Sequence, residues 1–181
     1  MYFRQDADDA ALVVRTLGGD LAAFEAIVVE YERVLYRIAL RMLGDREDAR
    51  DATQTAFVRA YANLSRFDSG QRFFSWLYRI LLNECLNVRR DRRPQEPVTP
   101  DMAVASNPDP VEAAERRHRV QQALLALTPE YREVIVLRHF ADLGYDEIAA
   151  TLGVPSKTVK SRLYTARQRL CELLIPEKTG A

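Results

Sequence analysis

The chain has 181 residues, 48% apolar and 29% charged, with Lys+Arg 26 balanced by Asp+Glu 26. That length holds one ordinary domain or two small ones, and the apolar fraction excludes global disorder. Two cysteines, Cys85 and Cys171, and two histidines, His118 and His139, are too scattered for a disulfide framework, a metal site or a catalytic cluster. No catalytic residue, no metal and no cofactor is therefore expected.

Residues 1–19 read as an N-terminal tail. Its first part, Met1 to Ala11, is acidic and lacks the basic-then-apolar pattern of an export signal. No apolar run approaches membrane-spanning length, so a soluble cytoplasmic protein with no membrane association is expected.

From Asp20 onward the pattern is helical. Asp20 can cap a helix whose apolar positions Phe24, Ile27, Val28, Tyr31, Leu35, Ile38 and Met42 keep a helical period, and Gly44 ends it. Asp45, with Asp48 three residues later, opens a second helix to about Leu64. A polar loop, Arg66 to Arg72, leads into a third helix over about Phe73 to Arg90. Residues 94–111 hold five of the eight prolines, several acids and few large apolar residues, and read as an extended linker.

After the linker, Asp109-Pro110-Val111-Glu112 and Thr128-Pro129-Glu130 are two helix starts with Pro at the first helical position. A short helix over about Tyr145 to Leu152, the turn Gly153-Val154-Pro155 and a basic helix from about Ser156 to Leu173 complete the chain. No strand pattern and no repeat is visible. The expected fold class is all-α: two small helical domains, residues 20–93 and 112–174, joined by a flexible linker and followed by a C-terminal tail, 175–181.

Zero net charge hides two basic patches. Arg66 to Arg93 contains seven arginines against Asp68, Glu84 and Asp91, and Gly153 to Leu170 contains five bases and no acid. The linker between them is acidic. Two cationic patches flanking an acidic strip suit a nucleic-acid binder.

Short helix, glycine turn and longer basic helix is the helix-turn-helix layout, whose second helix enters the DNA major groove. On that helix Val159, Leu163, Ala166 and Leu170 form an apolar stripe for the core. Lys157, Lys160, Ser161, Tyr164 and Arg167 line another side at spacings of three and four, able to reach base edges and phosphates. Arg162 and Arg169 flank that face as phosphate contacts, and Thr158 joins it at the N-terminal end.

These residues resemble a known family. Leu127-Thr128-Pro129-Glu130-Tyr131-Arg132-Glu133-Val134, Tyr145-Asp146-Glu147-Ile148-Ala149 and Thr158-Val159-Lys160-Ser161-Arg162-Leu163 look like region four of sigma factors. Phe73-Phe74-Ser75-Trp76-Leu77-Tyr78-Arg79-Ile80, followed by Asn83, is similar to region two of the extracytoplasmic-function (ECF) group of the sigma-70 family. Lys157 departs from the family's usual Gly, and Thr165 from its frequent Arg. The resemblance implies an alternative sigma factor that binds core RNA polymerase and directs initiation through −10 and −35 recognition. It also implies docking on the β′ coiled coil through Asp48, Asp51, Gln54 and Phe57, docking on the β flap, and an anti-sigma protein as regulator. The rival is a helix-turn-helix regulator with a helical sensor or interaction domain; a catalytic role would need a cluster of titratable groups that the sequence lacks.

Reading a −10 element requires a single strand with a base out of the stack, hence cationic rails and a pocket. The loop residues Phe67, Ser69, Gln71 and Arg72 are expected to form that pocket, with Gly70 allowing close backbone approach. Trp76, Arg79, Asn83, Asn87 and Arg90 share one polar side of the next helix, and Asn83 can bond a base edge bidentately. The rings Phe67, Phe73 and Trp76 are equally suited to packing. The polymerase-binding helix carries Arg50 and Thr55 where the family commonly has acids. Thr53 and Thr55 are therefore candidate phosphorylation sites for a Ser/Thr kinase that would supply the missing charge.

Overall fold

The computed structural model of the chain describes residues 6–91 and 110–175. Among them are eight α-helices, one short 3-10 turn and no strand. Most of the expected 94–111 linker and of the 175–181 tail lies outside the described residues.

The first helix, α1, Asp6–Leu17, is a correction: much of the expected tail is folded. Its Asp9, Leu12, Val13 and Thr16 recur at three- and four-residue intervals and are buried. The Tyr31 hydroxyl donates to Asp9 Oδ2 at 2.5 Å. Helix α2, Leu21–Leu43, is capped by Asp20, whose Oδ1 accepts from the Ala23 N–H at 3.3 Å. It ends at Gly44, in the left-handed region at φ 83. A Cβ there would come within 2.6 Å of Leu125 Cδ1, so this glycine also permits close approach of the C-terminal half.

Helix α3, Arg46–Ala62, starts where Asp45 Oδ1 accepts from the Asp48 N–H at 3.0 Å. The 3-10 turn Leu64–Arg66 leads through the polar loop to α4, Phe73–Asp91. The C-terminal half comprises α5, Pro110–Ala126; α6, Pro129–His139; α7, Tyr145–Leu152; and α8, Ser156–Leu174. Gly153, at φ 66, turns the chain between α7 and α8.

The two halves pack on one another. Helix α2 meets α5 and α6, α4 meets α7, and the buried apolar residues form one continuous cluster across both halves. The seam is polar as well. Arg41 Nη1 donates to Gln121 Oε1 at 2.8 Å, Gln121 Nε2 to the Leu40 carbonyl at 3.2 Å, and Arg37 Nη2 to the Phe140 carbonyl at 3.3 Å. Arg132 is the largest fully buried side chain. Its guanidinium donates to the carbonyls of Leu124, Leu125 and Leu127 at the end of α5 and to that of Met42 at the end of α2. These carbonyls lie where the internal ladder of each helix runs out, so one cation closes two helix ends. Burial lowers its pKa to about 10, which leaves it charged at neutral pH.

Candidate nucleic-acid interface

The helix-turn-helix is built as its apolar stripe dictates. Val159, Leu163 and Ala166 are buried and Leu170 is packed against the core. The opposite side of α8 faces solvent: Lys157, Lys160, Ser161, Tyr164 and Arg167 are exposed, Tyr164 by 65%. Thr158 is half-buried beside them. Tyr145, at the start of α7, lies under the Lys160 ammonium at 5.9 Å and the Arg138 guanidinium at 5.7 Å, which steadies Lys160 at the edge of the face. The flanking arginines also interact with α6. Arg169 lies over the Tyr131 ring at 4.9 Å. Arg162 is half-buried and acts electrostatically on Glu133 and Glu130 of α6. The free recognition face is therefore narrower than the spacing alone suggests.

The second basic patch is divided along α4. Trp76, Ile80, Asn83 and Glu84 line one edge of the helix and, with Arg59, Asn63 and Arg66, enclose a pocket of about 280 Å³ between α3 and α4. Arg59 Nη1 lies 2.7 Å from the buried Glu84 carboxylate. This pocket is not the one expected from the loop. Ser69 and Gln71 stand outside it, and the Asp68 carboxylate accepts from the Gly70 N–H at 2.9 Å, filling the space beside that glycine. Phe67 packs against Phe73 and Trp76 at 5.3 and 5.4 Å between ring centroids. Trp76 thus both packs and lines the pocket, whereas Phe67 and Phe73 pack. Arg59, Asn63 and Glu84 were not expected there; the first two lie at the end of α3 and Glu84 on α4, and only the α3–α4 packing brings Glu84 to them. Farther along, Asn87 Oδ1 accepts from Arg90 at 3.2 Å, so these two act as a pair.

The other edge of α4 is occupied by α7. Arg72 forms an ion pair with Glu147. The Ser75 and Thr151 hydroxyls are 2.8 Å apart and both buried. Arg79 donates from Nε to the Thr151 carbonyl and from Nη2 to the Ala150 carbonyl, both at 3.0 Å. Burial alone would raise the Glu147 carboxyl, but the Gly144 N–H and the Arg72 guanidinium outweigh it and hold it below its ordinary value.

A third surface lies between α2 and α3. A groove of about 750 Å³ is lined by Phe24, Val28, Tyr36, Phe57, Val58 and Tyr61, with Glu32, Arg50, Thr53 and Gln54 among its polar members. Of the residues expected to meet the polymerase, Gln54 and Phe57 line this groove; Asp48 and Asp51 do not. The two candidate phosphorylation threonines differ in exposure. Thr53 is buried, and its hydroxyl donates to the Ala49 carbonyl at 2.7 Å. Thr55 is exposed but outside the groove.

The Sigma-70 region 2 model matches residues 27–95 and the Sigma-70, region 4 model residues 117–170. The chain is 36% identical over 166 residues to the ECF RNA polymerase sigma factor SigW of Bacillus subtilis (strain 168), covering 84% of this chain and 89% of that protein. Its fold is similar to that of CnrH, solved in complex with the cytosolic domain of CnrY, with TM-score 0.74, 30% identity and coverage of 92% and 97% of the two chains. It also resembles the sigma factor RpoE of Bartonella quintana, solved in complex with the anti-sigma factor NepR, with TM-score 0.70, 27% identity and coverage of 86% and 98%.

Proposed function

This chain belongs to the ECF sigma factors of the sigma-70 family, and from that premise we propose how its surfaces divide the work of promoter recognition. An ECF sigma factor is an alternative sigma factor: it binds core RNA polymerase and promoter DNA and directs transcription initiation. In the proposed division, residues 20–93 form region two and residues 112–174 region four, joined by 94–111, with tails 1–19 and 175–181; α1 extends the folded part of the first.

Base reading is assigned to the pocket between α3 and α4. The observation that carries this is a space of about 280 Å³ edged by Asn83 and Trp76. Asn83 can donate and accept at a base edge, and Trp76 offers a ring for stacking. Arg66, Arg72, Arg79 and Arg90 supply the cationic rail for the strand. On α8, Lys157, Lys160, Ser161, Tyr164 and Arg167 read the −35 duplex. Thr158, Arg162 and Arg169 support that helix from its flanks. The groove between α2 and α3, with Gln54 and Phe57, receives the β′ coiled coil, and Asp48 and Asp51 stand beside it.

The chain is then a non-enzymatic factor: bond-making belongs to the polymerase, and the place of action is the cytoplasm. Control by an anti-sigma protein is supported by the similarity to RpoE of Bartonella quintana, a sigma factor solved in complex with the anti-sigma factor NepR. Thr55 is the one threonine of α3 where a kinase could still add charge.

The test is run-off transcription with core polymerase on a promoter library. The parent should select a −10 and a −35 element, and Asn83→Ala should lose selectivity at one −10 base. Selection unchanged by Asn83→Ala would remove the pocket assignment.

A further inference from the structure

We infer that Glu84 decides which base the pocket between α3 and α4 admits: a base with an exocyclic amino group on its pairing edge is taken, and thymine is refused. The inference rests on the reading that this pocket receives a base of the −10 strand, and it names the chemistry of that base.

Seven residues line the pocket, and among them only Glu84 is buried. Its side chain is 7% exposed, and Arg59 Nη1 stands 2.7 Å from its Oε1. An apolar side chain would join α3 to α4 without the cost of withdrawing a charge from water, so packing does not require a carboxylate here. The pair with Arg59 compensates the charge and leaves accepting capacity, because a carboxylate has a second oxygen with its own lone pairs. Asn63 adds a second acceptor. Its Nδ2 donates to the Arg59 carbonyl at 2.8 Å, which fixes the orientation of the amide and leaves Oδ1 to accept. Asn83 can donate and accept, so it does not distinguish an amino group from a carbonyl. Glu84 only accepts, and so it does.

A base out of the stack is read along its pairing edge. Cytosine and adenine present an amino group beside a ring nitrogen. The amino group can donate to Glu84 while the remaining N–H groups of Arg59 serve the ring nitrogen. Guanine presents an amino group beside N1–H, two donors for one carboxylate. Thymine presents a recessed N3–H between two carbonyl oxygens. Against Glu84 those oxygens set acceptor to acceptor with no proton between them. A site built on a committed hydrogen-bonding group rejects a base that cannot answer it more strongly than shape alone would.

The cleanest probe is a pair of bases equal in shape. Thymine and 5-methylcytosine share the ring and the methyl group and differ in the amino or carbonyl group at C4 and in the proton on N3. Holoenzyme made from the full chain and core polymerase is titrated with fluorescein-labelled single strands carrying the −10 element selected in run-off transcription. The two bases are exchanged at the position where Asn83→Ala loses discrimination. The parent should bind the 5-methylcytosine strand about fivefold or more tightly than the thymine strand. Glu84→Gln, whose amide can also donate to a carbonyl, should bring the two strands within about twofold. Both affinities come from one preparation, so partial loss of folding cancels in the ratio. Asn63→Ala, which leaves the ion pair intact, should narrow the parent ratio by about twofold. A parent ratio below fivefold, a Glu84→Gln ratio that stays above twofold, or an Asn63→Ala ratio equal to the parent's overturns the inference. The two layers are separable. If Asn83→Ala alters discrimination at no position, the pocket reading falls and takes this choice of base with it. If Asn83→Ala acts at one position and Glu84→Gln leaves the ratio there unchanged, the choice of base alone falls.

Discussion

The DNA-facing sides of α8 and α4 carry similar residues and stand in opposite conditions. On α8 the cations project from a helix anchored behind by Val159, Leu163 and Ala166, and the face is open to solvent, with Lys160 steadied over Tyr145 at its edge. At the start of α4, Arg72 and Arg79 are engaged by α7 along one edge, while the pocket at the other edge stays open. Composition alone does not separate the two. A basic face can be available or already satisfied, and the difference lies in which acceptors the fold brings across from elsewhere in the chain.

The strongest way to break that contrast is to cut the seam beneath it. Arg132→Met should remove about 3–5 kcal/mol of stability, because the carbonyls of Leu124, Leu125, Leu127 and Met42 lose the Arg132 guanidinium as a donor. Urea unfolding followed on both halves should show them destabilised together. An N-terminal half that melts at its original midpoint would mean the halves are energetically separate, and the satisfied condition of α4 would be incidental.

Next in size is the open edge of α4. Asn83→Ala should cost about 1–3 kcal/mol of discrimination at a single −10 base, measured by competition among promoter variants, with other positions unaffected. A loss spread over every position would mean that the pocket supports the strand and reads nothing.

The inner side of α8 can be probed by pH. Glu133 is pushed up to about 7, chiefly by burial, with Glu130 adding to this and Arg162 and Arg132 opposing it. Folded protein keeps this proton between pH 4.5 and about 7, where the unfolded chain has released it. Stability from this group is therefore full below 4.5 and is lost as pH rises through 7. Glu133→Gln should gain about 1–2 kcal/mol at pH 8 and almost nothing at pH 4, by urea melts at each pH. Equal gains at both would show that Glu133 does not hold its proton in the folded state.

The smallest effect sharpens the contrast within α8 itself. Lys157→Ala should lower duplex affinity alike for all −35 variants and reduce the salt slope by about one unit. Arg169→Ala should change the slope less, because that guanidinium rests on Tyr131. Equal slopes for the two variants would put Arg169 back among the phosphate contacts.

Much of this molecule is legible in its sequence, for local reasons. Asp20, Gly44, Asp45 and Gly153 act within a turn of themselves, and the helices begin and end where they direct. The apolar stripe of α8 is likewise a property of one helix. What is not legible depends on helices distant in sequence. Helix α1 is short, and most of its surface is polar or exposed; its order comes from α2, through Leu12, Val13 and the Asp9–Tyr31 bond. Arg59 and Glu84 become neighbours only when α3 and α4 pack. Thr53 looks like a surface threonine until α3 is seen to turn it inward. The partners of Arg72 and Arg79 lie more than seventy residues away, and no spacing rule reaches so far.

The bonds from Arg79 also bear on how this protein can change over generations. They end on the main-chain oxygens of residues 150 and 151, and every amino acid supplies such an oxygen. Substitutions along α7 that preserve the helix leave those acceptors in place. Heritable loosening of the seam must then come through the ion pair, through the Ser75–Thr151 contact, or through Arg79 itself. If Arg79 also grips the −10 strand, replacing it sacrifices promoter opening together with closure. One guanidinium then answers to two selective demands, which narrows the residues tolerated there more than either demand alone.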